Sequence, residues 1–355
     1  MNRLAAFVLS LLCLFSLLPS AALAEVEMIV PEEYEKTGTL PVYRAMERDF
    51  SRSLKPELFN QSAAVNRVDG AKHHDGFIEF ADGGRLEWAE EALYYHTYDG
   101  FAEVTYETEN GKPVQSTVRR PSLTQGASRL ALRMLSGWPE TQETYSLTKA
   151  SLSTLSLAEA QETAENLLAA LGLTGYKCET ALDMSAERIR QMGEKWNVQF
   201  PPRSLMNQIP LDFSAATAEN EGYYLRYFRY GPDGREAGFF RASLYVTAQG
   251  VQDCDIVDRF EAGEIYDTPN ALIDAKAALD ALPRALAAAR SPLQIGAVLS
   301  ARLTYHPMRA EKKADGLVLS PVWIIRFTGE DEQGASDLYA AFSAIDGRLV
   351  DGNWM

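Results

Sequence analysis

Histidine and cysteine are scarce in this chain, four and three among 355 residues. So few of either leaves little from which to build a transition-metal site. His73-His74-Asp75 is the one local cluster that hints at one. Adjacent residues diverge on a strand, and no second pair stands at ligand spacing, so no metal site is expected. Basic residues are in deficit as well: 34 Lys and Arg stand against 49 Asp and Glu, a formal charge of -15. A surface that acidic repels nucleic acid and anionic lipid. There is no G-x-S-x-G elbow, and no S-x-x-K accompanied by further lactamase-like motifs. Glu109-Asn110-Gly111-Lys112 runs into Pro113 with no upstream glycine at phosphate-loop spacing. Asp253, Asp255 and Asp258 lack the glycine and closing glutamate of a calcium loop. No catalytic, cofactor-binding or metal-binding residue set is therefore expected, and no cofactor.

Long apolar runs are equally rare. The single one, residues 4–18, follows Arg3 and ends at Pro19-Ser20, with Ala22-Leu23-Ala24 directly after it. A basic start, a short apolar stretch and an A-x-A site read as a secretory signal cleaved after Ala24. The run is shorter than the ~20 residues that span a bilayer, and no later segment is apolar enough to do so. The expected protein is secreted or extracytoplasmic, with no stable membrane span after cleavage. Export makes a disulfide chemically allowed for the two remaining cysteines, Cys178 and Cys254. Both fall on the apolar parity of their strands, Cys254 with Ile256 and Phe260, although Asp258 spoils that pattern. They are either bridged or two separate buried thiols.

What is present is an ordered alternation of helix and strand signals. Residues 25–150 form a mostly β region. In it 41–52 read as a short helix, 77–80 and 85–90 as a hairpin around glycine, and 123–135 as a helix. In Tyr94-Tyr95-His96-Thr97-Tyr98 a strand packed on both faces outweighs an aromatic binding surface. Residues 151–265 open on a capping box, Ser156-Leu157-Ala158-Glu159, whose helix ends at Gly172. A strand, a second helix capped by Ser185 and three further strands follow. Residues 266–355 restart the order: a helix over 269–282 with the stripe Leu272, Ala275, Leu279 and Leu282, then strands carrying Leu303 and Tyr305, and Trp323. Trp323, Leu303, Tyr305 and Leu279 are the expected structural core of this part, with ligand stacking the lesser reading of Trp323. The fold class is α+β: curved antiparallel sheets, each with a helix on one face, in a pattern repeated in the C-terminal half. Residues 156–350 are expected to fold as a unit of their own.

Several short patterns then line up. The helix 158–171 ends in Leu171-Gly172-Leu173; Leu303-Thr304-Tyr305 forms an L-x-Y strand; Leu319-Ser320-Pro321-Val322-Trp323-Ile324-Ile325 forms an L-x-P-x-W-x-I strand; and Ala344-Ile345-Asp346-Gly347-Arg348-Leu349 forms a closing hairpin. In these features residues 155–350 resemble the extracytoplasmic YycH/YycI regulators of a bacterial cell-wall sensor kinase, and more distantly PepSY-type domains. Those regulators keep an uncleaved membrane helix, which this chain is expected to lose. The resemblance implies a fold and a non-catalytic role, with no site residues to carry over. The expected function is a non-enzymatic interaction or regulatory module of the cell envelope, its partner an envelope protein or a cell-wall polymer. The alternative is a secreted carboxylate-dependent hydrolase of a wall polymer or glycan, suggested by Glu87, Glu90 and Glu91 near Trp88.

Overall fold

The computed structural model describes residues 40–48, 50, 54–59, 64–69, 75–81, 83–89, 92–107, 113–137, 152–201, 209–231, 236–258, 260–288, 293–310, 316–331 and 334–352. The expected signal and acidic leader, His73, His74, Glu90 and Glu91 lie outside the described residues. In chain order the strands are β1 Val42–Glu47, β2 Ala64–Asp69, β3 Gly76–Phe80, β4 Arg85–Ala89, β5 Ala92–His96, β6 Tyr98–Glu107 and β7 Pro113–Pro121. Helix α1 Leu123–Gly137, helix α2 Leu157–Ala170, β8 Tyr176–Met184 and helix α3 Ala186–Gln199 come next. Then follow β9 Gly222–Tyr230, β10 Glu236–Thr247, β11 Gly250–Val257, β12 Phe260–Asp267 and helix α4 Ala275–Ala288. The chain closes on β13 Gln294–Arg309, β14 Leu317–Asp331, β15 Gly334–Ser343 and β16 Leu349–Gly352. The architecture is α+β with antiparallel sheets.

The chain divides into two compact units, the larger made of Arg44–Glu264 with Arg309–Leu317. Its sheet has eight strands in the order β2-β3-β4-β5-β11-β10-β9-β8. One face is apolar: Tyr95, Cys254, Leu244, Leu225 and Ala181 follow one another across the strands. Helix α2 lies on this face through Ala160, Ala164, Leu167 and Leu168. The helix starts where the sequence places it. Ser156 accepts from the Glu159 amide while the Glu159 side chain accepts from Ser156, which satisfies two orphan amides at once. It stops at Gly172, whose φ of 74° suits a residue without Cβ. The opposite face carries α1 and α3 over a second core of Leu130, Met134, Ile189, Leu182, Tyr224 and Tyr245.

At the end of the apolar face stands Asp258, fully buried. Arg229 pairs with it at 2.9 Å and Arg48 at 3.6 Å, and the Tyr176 hydroxyl donates to it at 2.8 Å. Arg48 also donates to the Gly172 carbonyl and pairs with Glu261.

Among the described residues, the smaller unit comprises 40–43, residues of Ile265–Met308 and 318–352. A six-stranded sheet runs β12-β1-β14-β15-β16, with β13 also paired to β14. Helix α4 covers one face: Ala275, Ala278, Leu282 and Leu286 pack on Leu303, Trp323, Ile325, Phe327 and Phe342. Leu279 is partly buried against the same cluster, and Tyr305 is buried with its ring beside Tyr43. Trp323 is 2% exposed, and its Nε1 donates to the Ile273 carbonyl at 2.9 Å. The β14–β15 ladder begins at Val322↔Ser343, immediately after Pro321, which has no amide to give.

Four expectations are corrected. Within the helix expected over 41–52, residues Val42–Glu47 form β1 instead, with Val42 buried. Helix α4 starts at Ala275, not 269: Asp274 caps it by accepting from the Ala277 amide, and the Ile273 amide is committed to the Ala344 carbonyl. The eight-stranded sheet carries helices on both faces, since both parities of β8–β10 are apolar. Regions 25–150 and 151–265 are not separate, because β5 pairs with β11 and completes one sheet; for the same reason 156–350 is not a unit of its own. Of the two readings left open for Cys178 and Cys254, separate thiols hold: both are free, Cys254 buried and Cys178 partly buried. They do share a face, but β9 and β10 stand between their strands. Three strand spacings of ~4.8 Å put them ~14 Å apart, twice the reach of a disulfide.

Trp323→Ala should cost about 3–5 kcal/mol in a urea melt, the transfer loss plus the cavity under α4. A loss below about 1 kcal/mol would show that the ring does not anchor this core.

Candidate functional site

On the face of the eight-stranded sheet opposite α2, two rows of residues run across the strands. The first is Arg85, His96, Asp253, Tyr245, Tyr224 and Leu182; the second is Glu87, Tyr94, Asp255, Ser243, Arg226 and Thr180. Toward β8 the rows are apolar and lie under α1 and α3. Toward β4, β5 and β11 they turn polar. The residues His96, Asp253 and Asp255, unremarkable singly in sequence, are gathered there because β5 pairs with β11 in the register Asp253↔His96 and Asp255↔Tyr94.

The polar end is ordered by hydrogen bonds. Asp253 accepts from His96 Nδ1 at 2.6 Å through one oxygen and from the Ser128 hydroxyl of α1 at 2.6 Å through the other. A carboxylate can only accept, so Nδ1 of His96 carries the proton. Ser122, whose hydroxyl accepts the Gln125 amide, holds the start of α1 to the β5–β6 corner through Thr97. The Tyr94 and His96 rings stack along β5 with centroids 6.1 Å apart and planes 29° apart, and Tyr98 meets His96 edge-on. Arg119 of β7 lies over the Tyr98 and Phe101 rings and pairs with Glu79, which ties the β6–β7 ribbon to β3.

Asp255 differs from its neighbour. Its Oδ1 is buried with no hydrogen-bond partner. Burial pushes its carboxyl above the ordinary carboxylate range, and the charge of Asp253 adds to that; Arg241, His96 and Arg226 pull the other way. Burial also raises the Tyr98 phenol, with Glu87 adding to it. On a strand, Asp253 and Asp255 are two residues, ~7 Å, apart on one face.

This arrangement is not that of a nucleophile. Ser128 donates to Asp253 rather than to His96, so the acceptor stands in the middle and the order serine, histidine, carboxylate of a triad is not formed. Among the described residues no group of three His, Cys, Asp or Glu could hold a metal ion. Glu87 pairs with Arg85, while Trp88 is buried in the core on the other face of β4. The two thiols sit on the α2 face, where burial raises both. Sequence reasoning missed Asp258 as well: the residue that breaks the apolar alternation of β11 is the buried ion-pair centre. A charge on the inward parity of a strand was the signal that could have found it.

No described protein family matches the chain, and no curated protein does. Among solved structures it is similar to an uncharacterized protein from Eubacterium rectale, with 12% identity and a TM-score of 0.51, over 89% of this chain and 86% of that one. The Bacillus megaterium YpeB C-terminal domain also matches, at 10% identity and a TM-score of 0.26, over 87% of this chain and 98% of that one. The first likeness shows a shared fold, and the second is too loose to carry an argument. The resemblance to YycH and YycI rests on the sequence motifs quoted above. Among the described residues no helix is long and apolar enough to cross a membrane.

A folded pKa above the unfolded one means that the folded state holds its proton longer, so stability falls as pH rises through the shifted range. Asp255→Asn removes that dependence. At pH ~7 the variant should be more stable than the natural chain by on the order of 1 kcal/mol, reduced by the partial exposure of the group. The gap should close as pH falls below the usual carboxylate value of ~4. Thermal melts at several pH values measure this; a variant less stable at neutral pH would mean that the charged carboxylate is held by Arg241 and Arg226.

Proposed function

We propose that this protein is an exported, non-catalytic binding or regulatory module of the cell envelope that works through the polar face of its eight-stranded sheet. The observation that carries the reading is Asp255, a carboxylate with a buried, unpartnered oxygen on a half-exposed face lined with aromatic and charged groups. Such a group weakens the folded protein unless something completes it. Export is supported by the basic start, short apolar run and A-x-A site of residues 1–24. The non-catalytic reading is supported by the geometry around Asp253, whose two oxygens are taken by Ser128 and His96. Glu87 and Trp88, which suggested a hydrolase, are divided between the two faces of the sheet.

The purified chain lacking residues 1–24, immobilised and exposed to solubilised cell envelope, should retain a specific protein or polymer, and a Tyr94→Ala/Asp255→Ala variant should lose it. Recovery of nothing at both low and high salt, or equal recovery by the variant, would count against the reading.

A further inference from the structure

The corner where the β6–β7 ribbon meets α1 carries an exposed surface of a different kind. The Arg119 guanidinium lies over two rings of β6, 5.6 Å from Tyr98 and 5.1 Å from Phe101, so the three side chains form one stack. Phe101, at the end of it, is 61% exposed. Arg129 of α1 reaches the same place: with Arg85 and Arg119 it acts electrostatically on the Tyr98 hydroxyl, and the carboxylate acting against them is Glu87. Leu132 stands three residues after Arg129, on the same side of the helix, and is 44% exposed. The charges of this corner are not all answered. Arg119 and Arg85 share Glu79, and Arg85 also takes Glu87. Arg129 is exposed and, among the described residues, pairs with no carboxylate; the Tyr98 hydroxyl has no hydrogen-bond partner among them either. Both groups are donors and call for an acceptor, and a guanidinium is best met by a carboxylate. A bare anion would leave Phe101 and Leu132 in water, and an apolar molecule would leave Arg129 unanswered. A polypeptide segment in which acidic and large apolar residues stand close together supplies both. On a chain of net charge -15 the corner is a local reversal of sign, felt within a Debye length of ~8 Å at physiological salt.

We infer that this corner docks an acidic, apolar segment of a partner protein. A carboxylate of the segment pairs with Arg129 and accepts from the Tyr98 hydroxyl, while its apolar side chains cover Phe101 and Leu132. The surface is separate from the Asp255 face, and the binding reading above stands or falls without it.

Fluorescence anisotropy of the purified chain with three dye-labelled, capped pentapeptides tests this: EFELE as the acidic, apolar probe, KFKLK as its basic counterpart and EAEAE as the acidic probe without large apolar residues. EFELE should bind, and KFKLK and EAEAE should bind more weakly by about tenfold or more. Phe101→Ala and Arg129→Glu should each weaken EFELE by a similar factor, and added salt should weaken it too. Arg129→Glu should also favour KFKLK over EFELE, a reversal that mere loss of structure would not give. Val198→Ala, at an exposed site on α3, should leave EFELE binding unchanged. No binding of EFELE at low-millimolar concentration, equal binding of KFKLK, or binding insensitive to both substitutions would overturn the assignment. Equal binding of EAEAE would overturn it as well, leaving a polyanion in place of an acidic, apolar segment.

Discussion

Asp258 is fully buried, and its charge has to be answered where it stands. Taking a carboxylate out of water costs several kcal/mol, recovered only when donors and opposite charge are placed with good geometry. Here burial pushes the carboxyl up, while Arg229, Arg48 and the Tyr176 hydroxyl pull it back. Each of those partners comes from a different segment: Arg229 from the end of β9, Tyr176 from the start of β8, and Arg48 from just past β1. Arg48 carries the constraint further to the Gly172 carbonyl, at the C-terminal end of α2 where a cation is favoured. Glu261 answers the second guanidinium, so the junction holds two charges of each sign.

The consequence is felt on the other side of the sheet. A strand that slips by one residue turns all its side chains over. The junction clips the ends of β8, β9 and β11 together, and with them the register that opposes Tyr224 to Tyr245 and Arg226 to Ser243. The same register, continued through β11 to β5, brings Asp255 beside Tyr94 and Asp253 beside His96. The apolar face and its buried charge therefore help to hold the polar face in place. Stability and the proposed binding are divided between the two sides of one sheet.

Much of this could be read from residues alone. The Ser156–Glu159 capping box, the Ser185 cap and the alternation of Phe240, Ala242, Leu244 and Val246 specify local structure, and local structure follows them. What resisted reading was long-range. Strand β5 and strand β11 lie some 160 residues apart in the chain, as the His96–Asp253 bond shows with a separation of 157, and no periodicity announces which strand pairs with which. For that reason the N-terminal strands looked like a region of their own, and His96 and Asp253 looked unrelated. Helix α4 began late because the Ile273 backbone, which bonds both Ala344 and Trp323, outweighs the proline signal at Pro269. The two cysteines were placed on the correct face, but their separation depended on a strand order that sequence parity does not contain.

A double-mutant cycle on Asp258 and Arg229, read by urea unfolding of the larger unit, addresses the junction directly. Asp258→Ala alone should cost about 3–5 kcal/mol, because it leaves the Arg229 guanidinium buried without its counter-charge. The double variant with Arg229→Ala should be less damaged than the sum of the two singles by about 2 kcal/mol, as expected of groups in one network. Single losses that add to within about 0.5 kcal/mol would show that Asp258 and Arg229 act independently, and that the register of the sheet does not rest on their pairing.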